Sequence, residues 1–215
     1  MAIYRGRMRL IPWWALLSSG CAPVVLIGGW VTTGLLRGSD YNPVTDTISA
    51  LEADGAPGRW LMVSSLAALG ICHLVTAIGL RAAVFAGRVA LAGGGVASFL
   101  VAMFPQPLHG GSFRHGVVTV LGFSLLCVWP YLAAVRGRSA PWGLRPVPSI
   151  VVTLLMLAGA WWFLVALNHH GAAGVAERLV TATQALWPFA VAVSCVRFAP
   201  VAAAGALDQR RRQRR

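Results

Sequence analysis

The sequence predicts an all-α polytopic membrane protein: six transmembrane helices in one bundle, with the N- and C-termini in the cytoplasm. Three observations carry this. The 215-residue chain is 57% hydrophobic and only 11% charged, where a soluble domain carries about a quarter charged residues, so the excess apolar surface needs lipid as its solvent. The apolar residues fall into six stretches, each near the roughly 20 residues a helix needs to cross a bilayer. All 18 basic residues are arginine, and fourteen of them lie in the terminal segments and even-numbered loops; only Arg37, Arg59, Arg114 and Arg178 sit near odd-numbered loops. That split is the positive-inside pattern.

The stretches lack period-2 alternation, and backbone amides in lipid must be satisfied internally, so helices are expected rather than barrel strands. The spans are placed at 13–36, 60–80, 82–104, 116–135, 147–167 and 178–199. Trp13 and Trp14 open the first, Trp60 the second, and Trp142 precedes the fifth, all interfacial anchor positions. Arg88 interrupts the start of the third, where it can snorkel to the interface, and Gly93-Gly94-Gly95 then offers a close helix contact. Trp129-Pro130-Tyr131 in the fourth and Trp187-Pro188-Phe189 in the sixth form a faint repeat, 58 residues apart. Each proline there removes a helix donor, and the repeat leaves a transporter-type duplication open. Residues 1–200 are read as the six-helix domain and 201–215 as a basic cytoplasmic tail.

The net charge of +12 does not point to nucleic acid. The arginines flank apolar spans, and the one dense run, Arg210-Arg211-Arg212-Gln213-Arg214-Arg215, next to a bilayer suits anionic lipid headgroups. Cys21, Cys72, Cys127 and Cys195 fall inside apolar spans without CxxC spacing, so they read as small hydrophobes rather than disulfides or metal ligands. Leu17-Ser18-Ser19-Gly20-Cys21 resembles a lipoprotein signal, but Ser18 stands where that signal wants an aliphatic residue. The first stretch is therefore read as a retained helix.

Topology sorts the polar residues to the outer end. Asp40, Asp46, Glu52, Asp54 and Glu177 are outer acids, and His109, His115, His169 and His170 lie in outer loops or at outer helix ends. Within the long first loop, residues 45–52 read as a short helix capped by Thr45 or Asp46, with Ile48 and Leu51 on one face. Carboxylates beside imidazoles can bind a metal or work as an acid–base pair. However, no HExxH or HxxxH occurs, and adjacent His169 and His170 would point about 100° apart on a helix; no metal and no cofactor are expected. Arg114 and Arg178 need partners near lipid, either in an ion-pair network with residues such as Glu177 or as a cradle for an anionic headgroup. His73 and Gln184, inside spans, read as interhelical hydrogen bonders.

Tyr41-Asn42-Pro43, then Asp46-Thr47-Ile48-Ser49-Ala50-Leu51 and Gly55, resemble the signature of an integral-membrane family known as domain of unknown function nine-nine-eight. Phe104-Pro105, His115, Gly174 and Glu177-Arg178 are similar as well. Ala50 departs from that pattern, which often has a glutamate after the serine. The resemblance implies a helical membrane domain over most of the chain and no particular reaction. The expected function is binding or regulatory: recognition of a lipid headgroup or envelope partner in a bacterial plasma membrane, through Asp46, Ser49, Glu52, Arg114, His115, Glu177 and Arg178. The alternatives are a membrane-embedded hydrolase or transferase acting on a lipid, with Asp46, His115 and Glu177 as its catalytic candidates, and a small transporter.

Overall fold

A computed structural model describes residues 10–107, 110–137, 140–169 and 171–212, with side chains described as far as Phe198. Among these, six helices are long and apolar enough to cross a membrane: α1 (Trp13–Arg37), α3 (Arg59–Gly79), α4 (Phe85–Met103), α5 (Phe113–Ala133), α6 (Pro146–Asn168) and α7 (Ala173–Arg212), with a one-turn α2 (Ser49–Glu52) in the first loop. Each long helix packs on the next, and α7 returns to α1. The helices thus close a ring, and short loops make neighbours antiparallel. Trp13 and Trp60 are about two-thirds exposed.

Local chemistry sets the helix ends. Proline opens α6 at a position where its missing N–H costs nothing. Ser112 precedes α5, and its hydroxyl accepts from the His115 amide at 3.3 Å. α1 ends at Gly38 and α3 begins after Gly58, both with positive φ, a conformation glycine adopts without strain. Several boundaries differ from the sequence reading; α5, for one, begins at Phe113 rather than 116. α4 begins at Phe85 rather than 82, because Leu80–Val84 forms the turn between helices. Arg88 therefore sits in the first turn of α4, and its guanidinium donates to the carbonyls of Ala77 (2.8 Å) and Ile78 (3.0 Å), capping the C-terminus of α3. The last helix begins five residues earlier than expected, at Ala173, and continues to Arg212; its alanine-rich stretch beyond 200 favours helix. The short loop helix covers only Ser49–Glu52. Before it, Asn42 Oδ1 accepts from the Val44 amide (3.0 Å) and the Asp46 carboxylate from the Asn42 amide (2.9 Å), which hold a turn instead.

Small residues bring the backbones together. A Cβ on Gly70 would lie 2.6 Å from the Gly95 carbonyl, and one on Gly95 would lie 2.8 Å from that of Gly70, so the glycine run expected to make a helix contact does so between α3 and α4. On Gly87 a Cβ would fall 2.3 Å from the Ala133 backbone. Gly87→Ala should therefore force α4 from α5 and cost about 1–3 kcal/mol, the usual range for overpacking. Gly116→Ala, with nothing within 4 Å of its Cβ, should be neutral or mildly stabilising, since alanine is the better helix former. Thermal melts of both variants in one detergent check this; equal melts would show that the close approach carries no energy.

Candidate functional site

Loop 41–58 folds down over one end of the ring and is fastened at three places. The Asp54 amide donates to the Gln106 carbonyl (3.0 Å) after α4, and the Val175 amide at the start of α7 donates to the Val44 carbonyl (3.2 Å). The third fastening is Arg178. Its Nη1 donates to the carbonyls of Pro43 (3.0 Å), Asp46 (3.1 Å) and Gly174 (2.8 Å), and its Nη2 donates to the Tyr41 hydroxyl. The Tyr41 hydroxyl in turn donates toward the carbonyls of Thr47 (3.1 Å) and Asp46 (3.3 Å). Burial raises the Tyr41 phenol against the pull of Arg178, so it keeps the proton those carbonyls accept. Gly174 leaves room for this: a Cβ there would lie 2.3 Å from the Asp46 carbonyl.

Clamped in this way, the loop places Ile48, Ser49 and Glu52 inside the ring. The Ile48 amide donates to the Glu177 carboxylate. Ser49 Oγ lies 3.1 Å from His115 Nε2, and His115 Nδ1 lies 3.0 Å from the Phe104 carbonyl. A carbonyl only accepts, so Nδ1 carries the proton and Nε2 presents its lone pair to the serine hydroxyl. Glu52 Oε1 stands 3.5 Å from Nδ1. Burial raises the Glu52 carboxyl to about 9, the Glu177 charge adding to the rise and Arg59 opposing it, so Glu52 is neutral at pH 7 and this approach is a polar contact rather than an ion pair. Glu52 and His115 are 0% and 2% exposed, and Glu177 only 4%.

Below the loop, the ring forms a narrow, partly open cavity of about 70 Å³. Ser49, Glu52, Glu177, His73 and Gln184 meet apolar walls that include Leu66, Leu69 and Leu126. Several lining groups are buried without a hydrogen-bond partner among the described residues: both carboxyl oxygens of Glu52, His73 Nε2 and Thr119 Oγ1. His73 Nδ1 sits 2.9 Å from the Leu69 carbonyl, which leaves Nε2 as a free acceptor. Gln184 bridges α7 to α5 through the Phe123 carbonyl (3.4 Å), as an interhelical amide was expected to do.

The residues anticipated from sequence divide into three groups. Ser49, Glu52 and Glu177 line the cavity, and His115 stands behind it against Ser49 and Glu52. Asp46 and Arg178 meet, but through the Asp46 carbonyl; the Asp46 carboxylate instead accepts from the Asn42 amide and the Thr45 hydroxyl (3.2 Å). Arg178 was expected to need a carboxylate, and four backbone and phenol oxygens serve in its place. Arg114 is exposed at the start of α5, with no hydrogen bond or salt bridge among the described residues. Glu177 falls just before the expected last span, 178–199; because α7 starts at Ala173, it sits inside the helix, in its second turn, facing the loop. His109 and His170 lie outside the described residues, and His169 is exposed. Among the described residues, no three histidine, cysteine, aspartate or glutamate side chains group as metal ligands do. Sequence reasoning did not single out Tyr41 as a clamp residue, though it opens the Tyr41-Asn42-Pro43 motif, and did not join His73 and Gln184 to the outer cluster.

A family model described as "Protein of unknown function (DUF998)" matches residues 20–194. The chain belongs to this family, and with six apolar spans it is an integral membrane protein. Neither a curated protein nor a solved structure matches the chain.

Proposed function

We propose that this member of the DUF998 family is a membrane-embedded binding protein, which takes the polar end of a slim amphiphile into the cavity beneath loop 41–58. One observation carries the reading: Glu52 is fully buried, lines the cavity and has two carboxyl oxygens without a hydrogen-bond partner. Buried polar groups normally find partners, and leaving one unpaired costs about 1–3 kcal/mol. A ligand hydroxyl or amide supplies partners for Glu52 and His73, while Leu66, Leu69 and Leu126 take its chain. The same chemistry sets selectivity. An anionic headgroup would meet Glu177 in the cavity wall, and Arg178, the cation expected to hold one, is committed to loop carbonyls. The preferred headgroup is neutral.

Monoolein and lysophosphatidic acid, added to purified protein in a fixed detergent, test this. Monoolein should raise the melting temperature, and lysophosphatidic acid should raise it less. Ser98→Leu, which fills part of the cavity lined by Ser98, should remove the monoolein effect. No stabilisation by monoolein, preference for the phosphate, or a shift that survives Ser98→Leu would each count against the reading.

The arginine asymmetry supports a wider placement. The loop 41–58 end faces outward from a bacterial plasma membrane, both termini are cytoplasmic, and the arginines of the 201–215 tail meet anionic lipid. An impermeant maleimide should label Ser39→Cys in intact cells, in a background with the native cysteines replaced. Labelling only after the cells are opened would invert the topology.

A further inference from the structure

We propose that Ser49 is a nucleophile and His115 its general base, so that the cavity cleaves an ester amphiphile by acyl transfer to Ser49. This rests on the binding reading and gives it a reaction. The serine–imidazole separation is 3.1 Å, and the far nitrogen of the ring is held at 3.0 Å by the Phe104 carbonyl. A nucleophile bonded to a base, with the base oriented by a third group, is the arrangement that activates serine. The ring is locked in the tautomer that accepts the Ser49 proton. Ser49 itself is only partly buried and lines the cavity, so an ester seated there meets the hydroxyl, while His115 stands behind it, 2% exposed. Glu52 Oε1, 3.5 Å from Nδ1, is a polar neighbour of the ring.

The step balances without any group beyond substrate and water. Ser49 Oγ attacks the ester carbonyl carbon as its proton passes to His115 Nε2. The bond from that carbon to the alcohol oxygen breaks, and the alcohol leaves with the proton from Nε2. Water, giving a proton to Nε2, then attacks the acyl–Ser49 carbonyl; the carbon–Oγ bond breaks, the fatty acid departs and Ser49 regains its proton. If a second alcohol replaces water, the same sequence is a transfer.

The test uses the full chain in detergent micelles with a long-chain alkyl fluorophosphonate. Intact mass and peptide mapping should find one adduct on Ser49, none on folded Ser49→Ala, and slower labelling when monoolein is present. His115→Ala should slow labelling by at least about 100-fold, the lower bound for losing a general base. The wild-type adduct decides the matter even if His115→Ala does not fold. Folded wild-type protein that gives no Ser49 adduct overturns the proposal. If monoolein still raises its melting temperature, the cavity reading stands alone; if Ser49 is labelled and monoolein has no effect on melting or labelling, the nucleophile stands and the amphiphile reading falls.

Discussion

Arg178→Gln should lower stability by about 3 kcal/mol and release loop 41–58. One guanidinium nitrogen serves three carbonyls, of Pro43, Asp46 and Gly174, and the other serves the Tyr41 hydroxyl. Hydrogen bonds to a charged group are worth about 1.5–3 kcal/mol each, but four oxygens sharing one cation do not add independently, so the loss falls near the value of one or two. Glutamine reaches fewer of these acceptors and leaves the others unpaired at a half-buried site. Lysine keeps the charge without the planar fork, so Arg178→Lys should fall between glutamine and wild type. Tyr41→Phe should cost less alone, because the carbonyl contacts of Arg178 survive, and the double variant should lose less than the sum. Melting in one detergent, with limited proteolysis of residues 41–58, checks each point. Arg178→Gln within about 0.5 kcal/mol of wild type, the spread of ordinary surface changes, would show that the loop holds by apolar contacts alone.

How much of this could be read from sequence depends on the range of the interaction. Spans were legible because lipid imposes length and composition on them, and all six appear within a few residues of their expected positions. Ends were less legible where a tertiary partner decides them. Arg88 reads as a charge intruding on a span, yet its place follows from the open carbonyls of Ala77 and Ile78 on the preceding helix. The candidate cluster was legible as composition: Ser49, Glu52, His115 and Glu177 were all singled out. Their pairing was not, because nothing local says that Ser49 lies against His115, 66 positions away. The same limit explains Asp46 and Arg178. Opposite charges invite a side-chain ion pair, but Asp46 finds the Asn42 amide four residues back, a contact with little closure entropy. Arg178 is left to the carbonyls that this tight turn aims at it.

Glu52 should make the stability of the whole protein fall as pH rises, against the habit of most carboxylates. Its folded value, about 9, lies above the 4.5 of the free side chain, because burial and the neighbouring Glu177 charge both penalise its ionised form. Below about pH 4.5 the group is protonated in folded and unfolded chains alike, and its contribution is fully present. Between pH 4.5 and 9 the unfolded chain releases the proton while the folded chain keeps it, so each pH unit costs about 1.4 kcal/mol of stability. Above pH 9 the cost levels off, as the folded protein ionises too. Glu52→Gln keeps the shape and cannot ionise, so it should melt above wild type at pH 8–9, with the difference shrinking toward pH 5. Asp54→Asn, on an exposed carboxylate paired with Arg59 at 2.8 Å, should leave the wild-type slope in place. Melting curves of the three proteins from pH 5 to 9 decide it. If Glu52→Gln follows the wild-type slope throughout, the carboxyl is open to water when folded, and the cavity has no buried neutral acid to offer a ligand.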